Sequence, residues 1–472
     1  MDKSTHKLLN GTLIYFVGNA LTQVISLVLL RFVTGRITPE EYGIYNLVVT
    51  VSNLIIPFVT LQMSDAVFKF LIRAETDEEK QKYYTVSTCI MLLSAVLVVV
   101  GVVVTNLFFI KLPHPELIAL YITFNAFFNI YQRVVRAFGK NKVFVIGNLI
   151  KTIVYLGLEI FLIYVFSLGV EALFLSVTIS IILCLIFLEI KTKSLKYFKL
   201  KSFDFTTLKK MLRFSLPLIP NAVFWWLTTS INTVIVSAKC GLDINGIYTV
   251  ANKFSGVLTM VTSVFSLAWQ ESAISEYGSE NFKKFFTDTF NMYVKGVFSV
   301  VAVLLPFMFI VFPIMIDSSY HDAIQYAPFL LLASGISAIS GFVSQIFIAK
   351  NESAKCLYTN LLGMIANIVT IVLLVSKIAL WAAVLGTLIS NLTLVFTRLL
   401  LARKEFGKNL SVWGFIIVFI SLAVSVYGYF KFNMVLNIIW FIIAVAIAIY
   451  LNFGLITDIL KVLFSKTKKE SK

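Results

Sequence analysis

The sequence predicts an all-α integral membrane protein: about fourteen transmembrane helices, in two six-helix lobes followed by two C-terminal helices. Three observations lead there. The 472 residues are 59% hydrophobic and only 14% charged, with a mean hydropathy of +0.90. Soluble domains run near ~45–50% apolar and ~25% charged. Apolar runs of about 20 residues, the length needed to cross the hydrocarbon core, recur along the whole chain. Short matches between the two halves recur in the same order, about 202 to 212 residues apart. The composition excludes a water-soluble enzyme, a disordered chain and a nucleic-acid-binding domain, so no nucleic-acid partner is expected.

The spans follow in order. The first covers about 10–30, behind Lys3 and Lys7, and reads as a membrane helix rather than a cleaved signal. The next five cover 42–61, 84–110, 117–131 with a helical continuation, 143–166 and 170–190. They complete an N-lobe over 1–190. A basic linker, 191–213, leads to a C-lobe over 214–400. Its spans are 214–237, 247–269, 290–316, 323–349, 356–376 and 378–400. Residues 401–472 hold two more spans, 412–430 and 434–457, and a basic tail. Irregular backbone cannot face lipid, so each continuous apolar run must be helical. The runs do not alternate apolar and polar, which excludes a barrel.

The formal charge of +16 is read against a membrane first. With the N-terminus in the cytoplasm, the inner loops and tails carry about 32 of the 40 Lys and Arg. The outer loops carry Arg31, Arg36, Lys111, Lys239, Lys377 and Lys431, and shifting the count by one span destroys the asymmetry. Both termini are therefore expected in the cytoplasm, with the Lys466–Lys469 tail on an anionic inner leaflet. The four cysteines are scattered and read as small core residues. No His or Cys spacing suggests a metal, and no cofactor is expected.

Asn19-Ala20 recurs as Asn221-Ala222, and Gly43-Ile44-Tyr45 as Gly246-Ile247-Tyr248. Lys140-Asn141 recurs as Lys350-Asn351, and Asn148-Leu149 as Asn360-Leu361. Six helices separate the copies, so both insert with the same orientation. Parallel repeats place a substrate site between them near mid-membrane.

Charges inside a span cost about 2.5–3.5 kcal/mol and tend to face a cavity or a partner. Lys253 in the eighth span is the leading candidate for a substrate-facing cation, followed by Lys151 in the fifth. Glu159, eight residues beyond Lys151, is offset by roughly 80° around the helix, so the two cannot pair directly. Glu159 is expected to balance a charge on another helix. Arg31 and Arg36 bound the outer end of the first span, as further substrate cations or snorkelling residues. Asp65, Lys69 and Arg73 form one stripe if the second span continues as a helix. That stripe is a solvated helix end or a cationic vestibule. Asn19, Gln23, Asn221, Thr229 and Asn232 line a wet cavity or join helices by hydrogen bonds. Trp225 lies deeper than an interfacial tryptophan, suited to stacking on a sugar or to plain packing. No nucleophile–base set, paired carboxylates or Gly-rich phosphate loop points to catalysis.

Several of these segments carry a family likeness. R-x-x-x-x-R-I-T-P-E-E-Y-G-I-Y at 31–45, R-A-F-G-K-N-K at 136–142, F-S-L-P-L-I-P-N at 214–221, G-I-Y at 246–248 and A-W-Q-E-S-A-I at 268–274 resemble oligosaccharide flippases. These form the Wzx-type polysaccharide biosynthesis branch of the multidrug/oligosaccharidyl-lipid/polysaccharide superfamily. The resemblance implies a fourteen-helix, two-lobe, MATE-like transporter of a bacterial plasma membrane and no enzyme. Its implied cargo is an undecaprenyl-pyrophosphate-linked oligosaccharide, moved from inner to outer leaflet for a surface polysaccharide such as O-antigen, capsule or exopolysaccharide. Other polysaccharide assembly proteins are implied partners. Many relatives carry an Asp-Arg pair late in the seventh span; Asn232-Thr233 stands there in this chain. A peptidoglycan-precursor flippase and a multidrug cation antiporter are the rival readings. The antiporter needs a buried acid, and Glu159 is the only deep one.

Overall fold

The structure is a computed structural model that describes residues 29–407, 411–454 and 457. Among these residues it is helical without strands. A short helical run, 29–34, precedes α1 (Pro39–Val59), α2 (Met63–Ile72), α3 (Asp77–Phe108), α4 (Pro115–Ala137), α5 (Asn141–Val165) and α6 (Val170–Thr192). The linker forms two short 3-10 turns and α7 (Phe205–Ser215). Then come α8 (Ile219–Cys240), α9 (Leu242–Glu276), α10 (Phe282–Met315), α11 (Ala323–Ala349), α12 (Ser353–Ile378), α13 (Leu380–Ala402), α14 (Val412–Lys431) and α15 (Met434–Leu451). Ten of the described helices are long and apolar enough to cross a membrane. The chain is a multi-pass membrane protein. Helices α4, α8 and α9 also fall on expected spans but are more polar. The first expected span lies almost wholly outside the described residues, and so do Asn19, Gln23 and the 466–469 tail.

Local chemistry sets the helix boundaries. Thr38 and Glu41 form a reciprocal capping box at the start of α1, with Pro39 in the first turn. Asp204 caps α7 by accepting from the amides of Thr206 (3.1 Å) and Thr207 (2.9 Å). The hydroxyl and amide of Thr207, with the Thr206 amide, hold the Asp204 carboxyl below its usual range. One boundary differs from expectation. The second span does not continue through Asp65, Lys69 and Arg73. Pro57 lies in the last turn of α1, and Leu61 and Gln62 both adopt left-handed backbone, so α2 starts afresh. Asp65 and Lys69 still share one face of α2, but Asp65 pairs with Arg133 of α4, 3.4 Å away.

The chain forms two compact units, Met1–Gly246 and Ile247–Lys472, with the boundary inside α9. The first contains helix trio α4–α5–α6, in which α6 packs on both α4 and α5. The second contains α11–α12–α13, in which α13 packs on both α11 and α12. The internal repeat is therefore carried by topology as well as by residues. Its turn lysines act alike. Lys140 Nζ donates to the carbonyls of Lys191 (2.6 Å) and Thr192 (3.3 Å), at the end of α6. Lys350 Nζ pairs with Glu405, 2.6 Å away, just beyond α13. That contact raises the Lys350 ammonium above its usual range.

Both units bury aromatic cores. In the second, Trp269 stacks on Phe342 at 4.3 Å and donates Nε1–H to the Phe342 carbonyl (3.0 Å). Trp269 and Ala273, one turn apart, are both buried in that core. The A-W-Q-E-S-A-I run thus serves packing, while its Glu271 stays exposed.

Candidate functional site

The expected cations inside spans are present without acidic partners. Lys151 on α5 is partly buried, and its ammonium stands 4.5 Å from the centre of the Phe128 ring on α4. Lys253 on α9 is also partly buried. Among the described residues, neither forms an ion pair. Glu159 is 2% exposed and accepts from the Tyr155 hydroxyl at 2.9 Å, one turn back on α5. It does not pair with Lys151. Arg31 and Arg36 are both exposed, and Arg36 lies 5.4 Å from the Tyr164 ring centre.

Helix α8 packs on α1. Trp226 fixes this contact by donating to the Thr50 carbonyl (2.7 Å). Its neighbour Trp225 points the other way and is 60% exposed. Asn221 is exposed, and Thr229 is exposed with its hydroxyl turned back to the Trp225 carbonyl (2.9 Å). Asn232 and Thr233 are buried. One helix thus presents two faces. Trp226 serves packing, whereas Asn221, Trp225 and Thr229 remain accessible.

The start of α9 lies against the start of α1 within the first unit. A Cβ at Gly43 would overlap the Leu242 carbonyl, and one at Gly246 would overlap the Pro39 carbonyl. Asn245 locks the crossing by donating to the Gly43 carbonyl (3.0 Å). The recurring G-I-Y segments therefore share one physical task, close backbone approach.

At the other end of α1, Lys69 sits 3.7 Å from the Phe214 ring centre and 5.6 Å from that of Phe70. Arg73 caps α2 and is exposed. Arg136, from the R-A-F-G-K-N-K segment, lies 5.4 Å from Phe68 and 5.5 Å from Phe144. Gly139, with φ +74°, turns the chain there. The cations at this end are held mainly by aromatic faces rather than by carboxylates.

Two polar clusters escaped the sequence reading. Arg398 on α13 is only 6% exposed. It donates to Thr359 Oγ1 (3.1 Å), the Ser340 carbonyl (3.0 Å), Ser340 Oγ (2.8 Å) and Asn360 Oδ1 (2.7 Å). These contacts tie α13 to α11 and α12. Its position inside the 378–400 span was the available signal. Glu189 on α6 accepts from Tyr131, from Ser194 Oγ (2.7 Å) and from the Leu195 amide (3.0 Å). Tyr131 is distant in sequence, so no local pattern announced that network.

The first unit supplies a partly buried cation, Lys151, and an accessible hydroxyl, amide and indole face on α8; the second unit separately supplies a partly buried cation, Lys253. Ammonium groups of this kind can neutralise a phosphate, and groups such as those on α8 can hydrogen-bond to or stack on sugars. Comparisons with known proteins agree in fold. No curated protein matches the chain. A lipid II flippase, MurJ, in an inward closed conformation matches with a TM-score of 0.67 and 14% identity, over 97% of this chain and 100% of that one. An inward-facing multidrug resistance MATE family transporter of the MOP superfamily matches with a TM-score of 0.63 and 16% identity, over 86% and 96%. A variant of the Vibrio cholerae MATE transporter VcmN matches with a TM-score of 0.54 and 13% identity, over 84% and 96%. The family model described as polysaccharide biosynthesis protein matches residues 8–270, more than half of the chain. The chain therefore belongs to the polysaccharide biosynthesis protein family, on a MATE-like fold.

Proposed function

We propose that this protein is a flippase for lipid-linked oligosaccharides and not an enzyme. It carries undecaprenyl-pyrophosphate-linked repeat units from the inner to the outer leaflet of a bacterial plasma membrane. Both termini lie in the cytoplasm, as the distribution of basic residues favours. The observation that carries the reading is that two partly buried lysines on expected spans, Lys151 on α5 and Lys253 on α9, have no acidic partner among the described residues. A cation so placed gains most from an anion that visits. The family match and the flippase fold of MurJ support the same reading.

The mechanism is alternating access. In this reading residues 1–190 and 214–400 act as the two lobes of the repeat and expose the cargo path to each side of the membrane in turn. The polyprenyl tail stays in the bilayer while the pyrophosphate and sugars cross inside the protein. An uncompensated phosphate would meet a desolvation cost of several kcal/mol, which Lys253, Lys151 and Arg31 offset. Asn221, Trp225 and Thr229 replace water around the sugars. Because Asn232-Thr233 stands where many relatives carry Asp-Arg, Lys253 takes the principal charge role in the second lobe.

Mass spectrometry of lipid-linked intermediates in a strain lacking the protein tests this. Undecaprenyl-pyrophosphate oligosaccharides should accumulate on the inner leaflet and clear when the protein is restored. Accumulation of the peptidoglycan precursor alone would assign that cargo instead. Loss of drug export with normal lipid pools would assign a cation antiporter.

A further inference from the structure

Helix α7 carries a face that flippase chemistry does not use. It buries Thr207, Met211 and Ser215, one residue per turn, with Met211 in the core formed by α2, α3 and α4. The other positions are exposed, apart from the half-buried Leu208, Leu212 and Phe214. Phe205, Lys209 and Arg213 follow one another at four-residue spacing, and so do Thr206, Lys210 and Phe214. Thr206, Lys209, Lys210, Arg213 and Phe214 line an open pocket of about 410 Å³. Lys69 adds its ammonium above the Phe214 ring. Lys210 is steadied by Phe70 (5.2 Å to the ring centre) and by the Tyr83 hydroxyl (3.4 Å). None of Lys69, Lys209, Lys210 and Arg213 has a carboxylate within 4.0 Å among the described residues. The acid of this helix, Asp204, is spent on capping its first turn.

We infer that this pocket binds the phosphate of an anionic phospholipid headgroup. Three cations line one cavity and Lys69 stands over its Phe214 wall, with Lys69 and Lys210 held by aromatic and hydroxyl groups instead of anions. A phosphate oxygen supplies the missing charge, and the Thr206 hydroxyl adds a donor. Exposed apolar side chains on the same linker favour a lipid over a phosphate from water. Phe205 is 77% exposed, and Leu195 and Leu200 in the preceding turns are also exposed. Exposed apolar side chains on a segment that also carries a basic pocket suit the boundary between headgroups and acyl chains. The inference requires only that this face meets lipid, so it does not depend on what the protein carries.

Native mass spectrometry of the full-length protein in non-ionic detergent tests the site with two added lipids, phosphatidylglycerol and phosphatidylcholine. Wild type should retain phosphatidylglycerol at about tenfold lower concentration than phosphatidylcholine. The double variant Lys210→Gln, Arg213→Gln should lose that preference, while Lys210→Arg, Arg213→Lys should keep it. An unchanged thermal midpoint shows that each variant is folded. An undiminished preference in the folded Gln variant overturns the site. Equal retention of both lipids by wild type, with inorganic pyrophosphate protecting the pocket, reassigns it to a water-borne phosphate. Displacement of phosphatidylglycerol by equimolar undecaprenyl pyrophosphate reassigns it to the cargo.

Discussion

At the scale of single residues, a buried guanidinium is the most exacting group in the second unit. Arg398 satisfies its donors on Ser340, Thr359 and Asn360, none of them charged. Replacing it strands those acceptors and leaves a hole. Arg398→Ala should therefore cost about 1–3 kcal/mol, read as a lower thermal midpoint in detergent. Arg398→Lys should recover part of the loss, because one ammonium cannot reach all three partner residues on α11 and α12. Lys253 is a different case. It forms no ion pair among the described residues, so its removal should spare the fold and strike transport. Losing one charged contact to phosphate, worth about 1.5–3 kcal/mol, predicts that Lys253→Ala exports at least about tenfold more slowly. Surface level of the protein and the rate of polysaccharide appearance measure the two effects separately. Wild-type export by a normally inserted variant removes Lys253 from the site. Arg398 shows why the sequence separates these roles poorly. Both cations look alike in a hydropathy plot, and only neighbours on other helices distinguish a brace from a binding group.

At the scale of elements, the contact between α1 and the start of α9 rests on two glycines. A side chain at Gly43 would displace the Leu242 carbonyl, which the backbone cannot yield cheaply. Gly43→Ala should cost about 1–3 kcal/mol, the usual range for overpacking. Gly101→Ala is the control, since a Cβ there meets nothing within 4 Å. It should be neutral or raise the thermal midpoint, as helix propensity alone dictates. Equal effects of the two substitutions would show that the crossing carries no strain. This contact was half legible. The G-I-Y recurrence marked both segments, yet periodicity could not say that each glycine meets the other segment's backbone. The helix boundaries were largely legible, because apolar runs in lipid have only one backbone solution. The break at Leu61 and Gln62 was not. Neither residue is a glycine, so nothing in their local preference announces the left-handed conformations they adopt.

For the whole molecule, the decisive quantity is the charge moved in one complete cycle. The pyrophosphate of the proposed cargo carries about two negative charges. If cavity lysines neutralise them, the loaded stroke moves little net charge. The empty, positively charged site then returns inward. An inside-negative potential favours that return, just as it would favour outward movement of an unneutralised anion. The sum over the cycle is the same in both cases, at about 2.3 kcal/mol per charge for each 100 mV. Two charges give about 4–5 kcal/mol at 100 mV, ample to drive accumulation in the outer leaflet. Cells or vesicles with the potential clamped near zero by valinomycin and matched potassium should therefore export slowly, even with the proton gradient intact. Collapsing the proton gradient alone should change little. The opposite pattern, in which export survives depolarisation but fails without the proton gradient, would mean that a titrating group couples transport. Glu159, buried on α5 against Tyr155, would then be the first residue to replace.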